Sequence, residues 1–341
     1  MRKLFIVLAL CGVSILNAQQ LNVASYNVRN SNPNDAKAGN GWEQRCPVLT
    51  QLITFHDFDI FGAQEVKHNQ LEDMLNALPQ YSYIGVGRDD GKTKGEYAPI
   101  FYRKDKFKLL KSGNFWLSED TSKPNKGWDA AYTRICTWGE FKDITGKFRF
   151  WFFNLHMDHI GVVARRESAK LVISKIKEMC GKDPVILTGD FNVDQTSESY
   201  QVLHESGILS DSYEVAQMRY ATNGTCTGWN PNTYTPNRID HIFVTPNFTV
   251  EKYGVLTDTY RTKNETTGKY ESHIPSDHFP VKAVLKFQKK SFEKIWWVQK
   301  DDLSCFPRPS QTFFSPVLLP SLSPFSNVWA IRKKPVQYPH P

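Results

Sequence analysis

Six short polar clusters in this chain each lie at the end of an apolar run. A strand that ends in a carboxylate, an amide or an imidazole places that group at the rim of a sheet, so several strands can build one site. The clusters are Asn27-Val28-Arg29, Gln64-Glu65, Asn154-Leu155-His156, Gly189-Asp190-Phe191-Asn192, Arg238-Ile239-Asp240-His241 and Ser276-Asp277-His278. Their many oxygen ligands and two histidines would suit metal-assisted hydrolysis of a phosphate ester.

Two of the clusters follow buried runs directly. Glu65 comes after an apolar segment, where a charge is costly unless it binds something positive. A salt bridge or a helix cap is the alternative role for this carboxylate. Phe191 points away from Asp190 and Asn192, so these two polar groups face the same side, unless they form an Asx turn.

The histidine clusters offer acid–base chemistry. Asp277 beside His278 places a metal ligand and an imidazole together, although a helix cap or a surface loop would use the same residues. His156 ends the most apolar predicted strand, whereas a lone histidine is more often structural. Asp240 enters a buried strand and therefore needs a partner, which an imidazole would provide.

Hydrophobic periodicity predicts alternating helices and strands between residues 21 and 287. Helices are predicted at 42–55, 70–78 and 164–179. Strands are predicted at 21–28, 60–63, 81–86, 99–102, 107–115, 148–156, 185–188, 239–244 and 281–287. Several strands follow one another without a helix between them, which favours two packed mixed sheets with helices outside. Polar loops are predicted at 88–96 and 257–276, the second close to the site.

The ends of the 341-residue chain differ from its body. Residues 1–18 are typical of a signal peptide, with Arg2 and Lys3 before an apolar stretch, and predict a secreted or periplasmic protein. A buried N-terminal strand and a lipoprotein anchor at Cys11 are the alternatives. The apolar stretch is too short for a membrane span, and no other segment offers one.

The segment 288–341 is rich in proline and is predicted to lie outside the fold. A partner-binding tail and a shifted reading frame are alternative interpretations of it. The chain carries a net charge of +7, but between these two ends the basic and acidic residues are equal in number. A neutral body argues against a bulk nucleic-acid binder without excluding a local basic patch.

Cysteine spacing argues against a zinc site. Loss of Cys11 with the signal peptide would leave five cysteines, and none of them forms a C-x-x-C pair. Buried thiols and a single disulfide are both compatible with this count.

In their order and spacing over residues 21–287, the polar clusters resemble the endonuclease/exonuclease/phosphatase superfamily. Its members include deoxyribonuclease I, exonuclease III, the deadenylases, inositol polyphosphate 5-phosphatases and neutral sphingomyelinases. The resemblance implies a four-layer α/β/β/α sandwich of two mixed sheets flanked by helices. It also implies hydrolysis of a phosphate ester by in-line attack of water, with Mg²⁺ or Mn²⁺ as the cofactor.

The resemblance implies a metal site and a base. Glu65, with Asn27 and Asp277, would hold the divalent ion. Asp190 would orient or deprotonate the attacking water, although His278 is an equal candidate for the base.

The other implied roles concern phosphate and leaving group. His156 and Asn192 would hold phosphate oxygens as negative charge develops. His278 paired with Asp240 would be a positioned acid–base group. Glu96 matches the acidic residue that supports the first histidine in deoxyribonuclease-like members, which implies a pair between Glu96 and His156.

Departures from the family pattern narrow the choice of branch. Arg29 stands where some repair nucleases carry an acidic residue, and His156 stands where they carry a tyrosine, so the chain is unlike the abasic-site repair branch. Arg29 is predicted to contact substrate phosphate, or else to form a structural salt bridge. Arg134 and Trp128 are predicted to line the cleft, with a place in the core as the alternative for the tryptophan.

The sequence therefore predicts an exported, metal-dependent phosphoesterase, most simply a nuclease-like phosphodiesterase that works as a monomer. The alternatives are a sugar- or inositol-phosphate phosphatase and a sphingomyelinase-like phospholipid phosphodiesterase. Nucleic acid is one possible substrate among these. A secreted binding protein on an inactive scaffold would show the loss of a core polar residue, and none is lost.

Overall fold

The computed structural model of the protein describes residues 20–145 and 148–288. The predicted signal peptide at 1–18 lies outside the described residues, as do Cys11, Cys305 and the predicted tail from residue 289 onward. The helices of the described part are α1 (Pro33–Lys37), α2 (Trp42–Phe55), α3 (His68–Ala77), α4 (Val162–Cys180), α5 (Glu198–His204) and α6 (Ser212–Val215).

The strands divide into two large sheets and one small hairpin. They are β1 (Gln20–Asn27), β2 (Ile60–Gln64), β3 (Tyr81–Ile84), β4 (Ile100–Arg103), β5 (Phe107–Trp116), β6 (Ile135–Asp143), β7 (Arg149–His156), β8 (Val185–Asp190), β9 (Ser210–Asp211), β10 (Met218–Tyr220), β11 (Asp240–Val244), β12 (Phe248–Val255), β13 (Tyr260–Lys263), β14 (Tyr270–His273) and β15 (Val281–Phe287). The first sheet has the order β10-β12-β15-β1-β2-β4-β3, and the second has the order β5-β6-β7-β8-β11-β9. Strands β13 and β14 form the hairpin.

The main core lies between the two large sheets. Strand β7 shows why, since its side chains alternate between two apolar environments. Phe150 and Phe152 pack inward with Ile60 of the facing sheet and Ile186 of the neighbouring strand β8, whereas Trp151 and Phe153 face the other side of the same sheet. A strand that is apolar on both faces must be covered on both faces, which requires a further layer outside the sheet.

Helices provide the outer layers. Leu49 of α2 and Met74 of α3 pack on the outer face of the first sheet, against Phe61 and Phe101. Helices α4 and α5 cover the outer face of the second sheet through residues such as Val172. The predicted four-layer α/β/β/α sandwich is confirmed.

Some strands were not predicted. Strand β6 contains Gly139 and alternating polar residues, and the pairing of β12 with β15 is interrupted between Val250 and Lys252, so neither shows a clean apolar period. The predicted polar loop at 257–276 contains the hairpin β13–β14, whose strands are largely exposed. An exposed hairpin buries no apolar face, so its sequence carries no alternation.

Two further predictions concern the described residues. No helix among them is both long and apolar enough to span a bilayer. Cys46, Cys136, Cys180 and Cys226 are all free thiols, so the four described cysteines form no disulfide with one another.

Candidate active site

The polar strand ends meet at one edge of the sandwich. Asn27 is the last residue of β1, and Glu65 follows β2, its parallel neighbour. In the second sheet, the parallel register of β7 and β8 places His156 opposite Asp190, and the antiparallel register of β8 and β11 places Asp190 opposite Asp240. The first sheet therefore delivers an amide and a carboxylate to the same edge where the second delivers three titratable groups.

The buried amide of Asn154 links the two sheets beside this edge. Asn154 Nδ2 donates to the carbonyls of Ala63 and Pro99, at 2.7 and 2.9 Å, and Asn154 Oδ1 accepts from Gln64 Nε2 at 2.7 Å. Gly62 makes this approach possible, since a Cβ there would lie 2.2 Å from Asn154 Oδ1. The relative position of the two halves of the site is thus set by hydrogen bonds between the sheets.

Asp190 lies at the centre of the site. Its carboxylate accepts from Asn27 Nδ2 at 2.9 Å and from the backbone N–H of Asn192 at 2.9 Å. His156 Nε2 and His278 Nε2 lie 3.6 and 3.9 Å from Asp190 Oδ2. Burial, together with the neighbouring negative charge of Asp240, raises the pKa of Asp190 to about 7. A carboxylate with such a pKa can both take up and release a proton near neutral pH.

His278 is held by Asp240, as the sequence predicted. The distance from His278 Nδ1 to Asp240 Oδ2 is 2.8 Å. Burial alone would lower the pKa of His278, but the charge and hydrogen bond of Asp240 raise this pKa well above its ordinary value. The imidazole therefore carries a positive charge, and its Nε2 faces Asp190.

Two carboxylates face each other across Arg29. Arg29 Nη1 lies 3.9 Å from Glu65 Oε2 and 3.6 Å from Asp277 Oδ2. Burial raises the pKa of Asp277, and the negative charge of Glu65 raises it further. A position flanked by a buried and a partly buried carboxylate favours a cation, and carboxylate oxygens are the ligands that Mg²⁺ and Mn²⁺ prefer.

Among the described residues, two groups of side chains could share a metal ion. Glu65, His156 and Asp190 each offer a ligand atom within 4.8 Å of the others, and Asp190, Asp240 and His278 do the same. Of the residues predicted to hold the metal, Glu65 belongs to the first group, whereas Asp277 belongs to neither. Asn27 Nδ2 donates to Glu65 Oε1 at 3.0 Å, so the amide links this carboxylate to Asp190. Oxygen donors predominate in this set, which fits a hard divalent cation.

The backbone is strained at three site residues. Arg29, Glu65 and Asn192 have φ values of 57°, 61° and 51°, in the left-handed region that non-glycine residues seldom adopt. Each such residue costs about 1–3 kcal/mol and persists only where its surroundings enforce it. Strain of this kind concentrates at functional sites.

Arg45 is one of the residues that hold this strained backbone in place. This guanidinium is fully buried and donates to the carbonyls of Val28, Arg29 and Pro275 at distances of 2.8, 3.1 and 2.8 Å. It therefore ties the segment after β1 to the segment before His278. Arg45 was not predicted from the sequence, since it lies inside α2 and not at the end of a predicted strand, where the polar clusters lie.

The predicted pair between Glu96 and His156 is not formed. Glu96 lies 2.6 Å from Arg88 Nη1 and also accepts from Asn30 Nδ2 at 3.3 Å. His156 Nδ1 is buried without a hydrogen-bond partner in the described part of the chain. Burial and the charges of Arg134 and Arg88 lower the pKa of His156 well below its ordinary value, so the imidazole is neutral. The arginine takes the carboxylate because a charged donor binds it more strongly.

Arginines line one side of the site. Arg134 Nε lies 3.3 Å from Asp158 Oδ2, and Arg134 Nη2 lies 3.1 Å from His159 Nδ1. Its Nη1 is buried without a partner among the described residues, which leaves a donor available to an oxyanion. Tyr132 stacks on His159 with ring centroids 5.6 Å apart. Sequence reasoning missed Tyr132 and His159, although both lie next to motifs that it singled out.

The remaining predicted residues divide between the cavity and its surroundings. Asn192 lines the cavity and donates from Nδ2 to the Met157 carbonyl at 2.9 Å. Arg29 also lines it, and its salt-bridge partner is Asp35, at 2.7 Å. Trp128 is not among the lining residues, and its backbone N–H donates to Glu119 instead.

The site opens into a cavity of about 430 Å³. Its lining includes the carboxylates of Glu65, Asp190 and Asp277 together with the side chains of Arg29, Arg134 and His278. Opposite charges arranged in this way can hold a cation and an oxyanion side by side. The cavity can therefore position a phosphate group next to Asp190, with a protonated imidazole on the same side.

Comparison with known proteins agrees with this geometry. The model of the "Endonuclease/Exonuclease/phosphatase family" matches residues 24–278. A crystal structure of an endonuclease/exonuclease/phosphatase family protein from Bacteroides thetaiotaomicron is 58% identical, with a TM-score of 0.77 over 80% of this chain and 99% of that chain. A mannosyl-6-phosphatase from the same organism is also 58% identical, with a TM-score of 0.76 over 78% of this chain and 100% of that chain.

Among curated proteins the similarity is more distant. A protein of Acanthamoeba polyphaga mimivirus is 32% identical over 163 residues, which cover 45% of this chain and 60% of the relative. A second protein of the same virus is 22% identical and is covered over 46% of its length. The chain thus spans about half to three-fifths of the length of these curated relatives.

Proposed function

The chain belongs to the endonuclease/exonuclease/phosphatase family, a family of phosphoester hydrolases, and we propose that it releases phosphate from the 6-position of a mannosyl group. The relative named as a mannosyl-6-phosphatase supports the choice of substrate, because it is 58% identical and is covered over its whole length. The proposal places a phosphomonoester ahead of the phosphodiester that the sequence analysis favoured. The observation that carries it is the cavity of about 430 Å³, in which Asp190 and His278 lie beside Arg29 and Arg134.

A phosphomonoester suits the charges of this cavity. Its phosphate group carries close to two negative charges at neutral pH, more than the phosphate of a diester. Arg29 and Arg134 line the cavity, and the Nη1 donor of Arg134 is buried without a partner in the described segments. Fixed donors of this kind stabilise charge that develops on the phosphoryl oxygens in the transition state.

The two central groups act on the same side of the phosphate in this proposal. Asp190 accepts a proton from the attacking water while the water oxygen forms a bond to phosphorus. The protonated His278, whose Nε2 lies 3.9 Å from Asp190 Oδ2, donates a hydrogen bond to a phosphoryl oxygen. The bond between phosphorus and the sugar oxygen breaks on the opposite side, where the leaving oxygen takes a proton from solvent water. Asp240 orients the imidazole through its 2.8 Å contact. The products are inorganic phosphate and the sugar with a free hydroxyl group.

A divalent cation completes the site in this proposal. Glu65 and Asp277, with Asn27 beside them, would hold Mg²⁺ or Mn²⁺ close to the phosphate. A bound ion of this type supplies charge stabilisation to phosphoryl oxygens. His156, neutral and buried, would accept or donate a hydrogen bond at the phosphate without adding charge.

Export is a further part of the proposal. The basic and apolar pattern of residues 1–18 supports a secreted or periplasmic location. Cell fractionation of the full-length chain tests it, with N-terminal sequencing of the recovered protein. Recovery of the intact chain in the cytoplasm would contradict export.

Phosphate release tests the activity directly. Protein beginning at residue 19 is assayed with mannose 6-phosphate, glucose 6-phosphate and bis(p-nitrophenyl) phosphate, in Mg²⁺, Mn²⁺ or EDTA. We expect metal-dependent hydrolysis of mannose 6-phosphate, less of glucose 6-phosphate and little of the diester. Hydrolysis of the diester alone would overturn the monoester proposal and restore the phosphodiesterase. Full activity in EDTA would overturn the proposed requirement for a divalent metal ion.

A further inference from the structure

A second cavity adjoins the candidate active site. Its volume is about 420 Å³, close to that of the first, and the two linings share Arg88, Glu96 and Tyr132. Arg88 and Glu96 form an ion pair at 2.6 Å, so the shared wall is held in place. A ligand seated in the first cavity can therefore continue past this wall into the second.

The second cavity is lined by polar side chains. Lys67, His68, Asp89 and Thr93 line it but do not line the first cavity. Among the described residues, its lining contains no aliphatic side chain. An acyl chain would find no aliphatic side chain to pack against there, so a lipid leaving group fits this cavity poorly.

The charges of this cavity balance. Lys67 and Arg88 contribute two positive charges, and Asp89 and Glu96 contribute two negative charges. A groove that follows a nucleic-acid backbone carries a basic excess, because neutralisation of phosphates dominates the affinity. The balance therefore favours a neutral ligand that carries many hydrogen-bonding groups, and carboxylate, ammonium and hydroxyl groups suit sugar hydroxyls.

An aromatic ring lies where the two cavities join. Tyr132 is 53% exposed and lines both of them. Its ring is held by His159 on one side, at 5.6 Å, and by the guanidinium of Arg88, whose Cζ lies 5.6 Å from the ring centroid. A fixed tyrosine ring with a polar tip suits a sugar, which presents C–H groups on its faces and hydroxyls at its edge.

We infer that the second cavity is a subsite for a second sugar residue, so that the preferred substrate is a 6-phosphorylated oligosaccharide and not a free hexose phosphate. This inference rests on the proposed function for the position of the phosphate. Each cavity alone lies in the range of about 300–1,000 Å³ that one small ligand fills, so the pair has room for more than a hexose phosphate. The first sugar then lies at the shared wall, and the second extends toward Lys67 and Thr93.

Two tryptophan substitutions in one loop test the subsite. Thr93 is exposed and lines the second cavity, so Thr93→Trp fills the space without disturbing the core. Lys94 is the next residue, is equally exposed and does not line either cavity, so Lys94→Trp adds the same ring outside the subsite. Both variants are checked for an unchanged unfolding temperature.

The readout is the ratio of two specificity constants. For the full protein in Mg²⁺, kcat/KM is measured with mannose 6-phosphate and with a mannose disaccharide that carries the phosphate on its nonreducing residue. We expect a ratio of at least about ten in favour of the disaccharide, which corresponds to about 1.4 kcal/mol. Thr93→Trp should reduce this ratio to about one, and Lys94→Trp should leave it unchanged. A ratio of one in the wild type, or a ratio that survives Thr93→Trp, would overturn the subsite.

A binding measurement separates this inference from the proposed function. The neutral disaccharide and mannose are titrated into the protein by NMR, in the presence of Mg²⁺, so no hydrolysis is required. The protein should bind the disaccharide more tightly than mannose, and Thr93→Trp should abolish this difference. Such a result would support the subsite even if neither sugar phosphate were hydrolysed. Equal binding of the two sugars would overturn the subsite, whatever the hydrolysis assay shows.

Discussion

Two buried aspartates of the second sheet, Asp190 and Asp211, differ in what surrounds them. Asp211 accepts from Tyr200 Oη at 2.8 Å and from Arg238 Nη1 at 3.0 Å, and His241 Nδ1 lies 3.5 Å away. Burial raises the pKa of Asp211, but these partners outweigh burial and hold it far below its ordinary value. We call Asp211, Tyr200, Arg238 and His241 the anchoring cluster.

The reactive cluster, defined as Asp190, Asp240, His278 and Glu65, also brings buried aspartates together with a histidine. Asp190 is as deeply buried as the aspartate of the anchoring cluster, yet its pKa is raised to about 7 by burial and by a second carboxylate. The two clusters meet in β11, where Asp240 and the following histidine point to opposite faces of the strand. Burial alone therefore does not make a carboxylate reactive. Asp190 is reactive because its negative charge, unlike that of Asp211, is not fully neutralised by its neighbours.

The largest effect on the rate is expected from Glu65→Gln. Loss of this carboxylate removes a predicted metal ligand, and several kcal/mol of charge stabilisation correspond to a decrease in kcat of about a thousandfold. Glu140→Gln is the control, since Glu140 is a buried glutamate of β6 that pairs with Lys111 and lies outside the cavity. Isothermal titration of Mg²⁺ into both variants should show weakened binding in the first alone. Equal rates in the two variants would contradict the assignment of Glu65 as a metal ligand.

A pair of histidine substitutions sharpens the comparison next. His278→Gln should lower kcat by about 10²–10³-fold, the contribution of one positioned donor that stabilises developing negative charge. His241→Gln should leave kcat per folded molecule near the wild-type value and lower the unfolding temperature, because His241 belongs to the anchoring cluster. Steady-state kinetics and thermal unfolding of both variants provide the check. A large loss of kcat in His241→Gln, together with a wild-type kcat in His278→Gln, would contradict the roles assigned to the two clusters.

A smaller effect on the rate, with a clear pH signature, is expected from Asp240→Asn. The charge of Asp240 raises the pKa values of both His278 and Asp190, so its removal lowers both. The rate rises as Asp190 loses its proton and falls as His278 loses its own. Both limbs of the pH–rate profile should therefore move to lower pH, which is measured as kcat/KM against pH. A profile that stays in place would show that Asp240 does not act on these groups.

The smallest effect on the rate is expected from Asp211→Asn. This substitution leaves Arg238 and His241 buried without their anion, which should cost about 3–5 kcal/mol of stability at neutral pH. Because folding lowers the pKa of Asp211, its stabilisation is present above the unfolded value of about 3.9 and is lost as the pH falls below it. Urea unfolding should thus show a gap between variant and wild type that narrows below about pH 4. A gap independent of pH would contradict the assignment.

The sequence predicted the reactive cluster better than the anchoring cluster. Asp190 ends β8, Asp240 begins β11 and His278 lies shortly before β15, so each borders an apolar run, where a polar residue stands out. The aspartate of the anchoring cluster lies in β9, a strand of two residues, and its arginine partner is distant in sequence. Such a pairing depends on tertiary packing and leaves no local signal.

The helices and strands were likewise predicted where the local sequence carries a clear signal. The helix at 42–55 was predicted to the residue, because its apolar positions recur at helical spacing. Strand β6 was missed since Gly139 and polar residues interrupt its period. The contact between Glu96 and Arg88 was also missed, since both residues lie in a loop whose conformation local propensity does not determine.

Phosphate release by Asp190→Asn and Asp211→Asn, measured side by side, tests the central claim most directly. Both substitutions neutralise a buried aspartate and keep its shape, so they differ only in the cluster that they enter. With mannose 6-phosphate and Mg²⁺ at pH 7.5, we expect Asp190→Asn to lose about 10³-fold in kcat. Asp211→Asn should keep the wild-type kcat per folded molecule. A wild-type rate in Asp190→Asn would contradict the account.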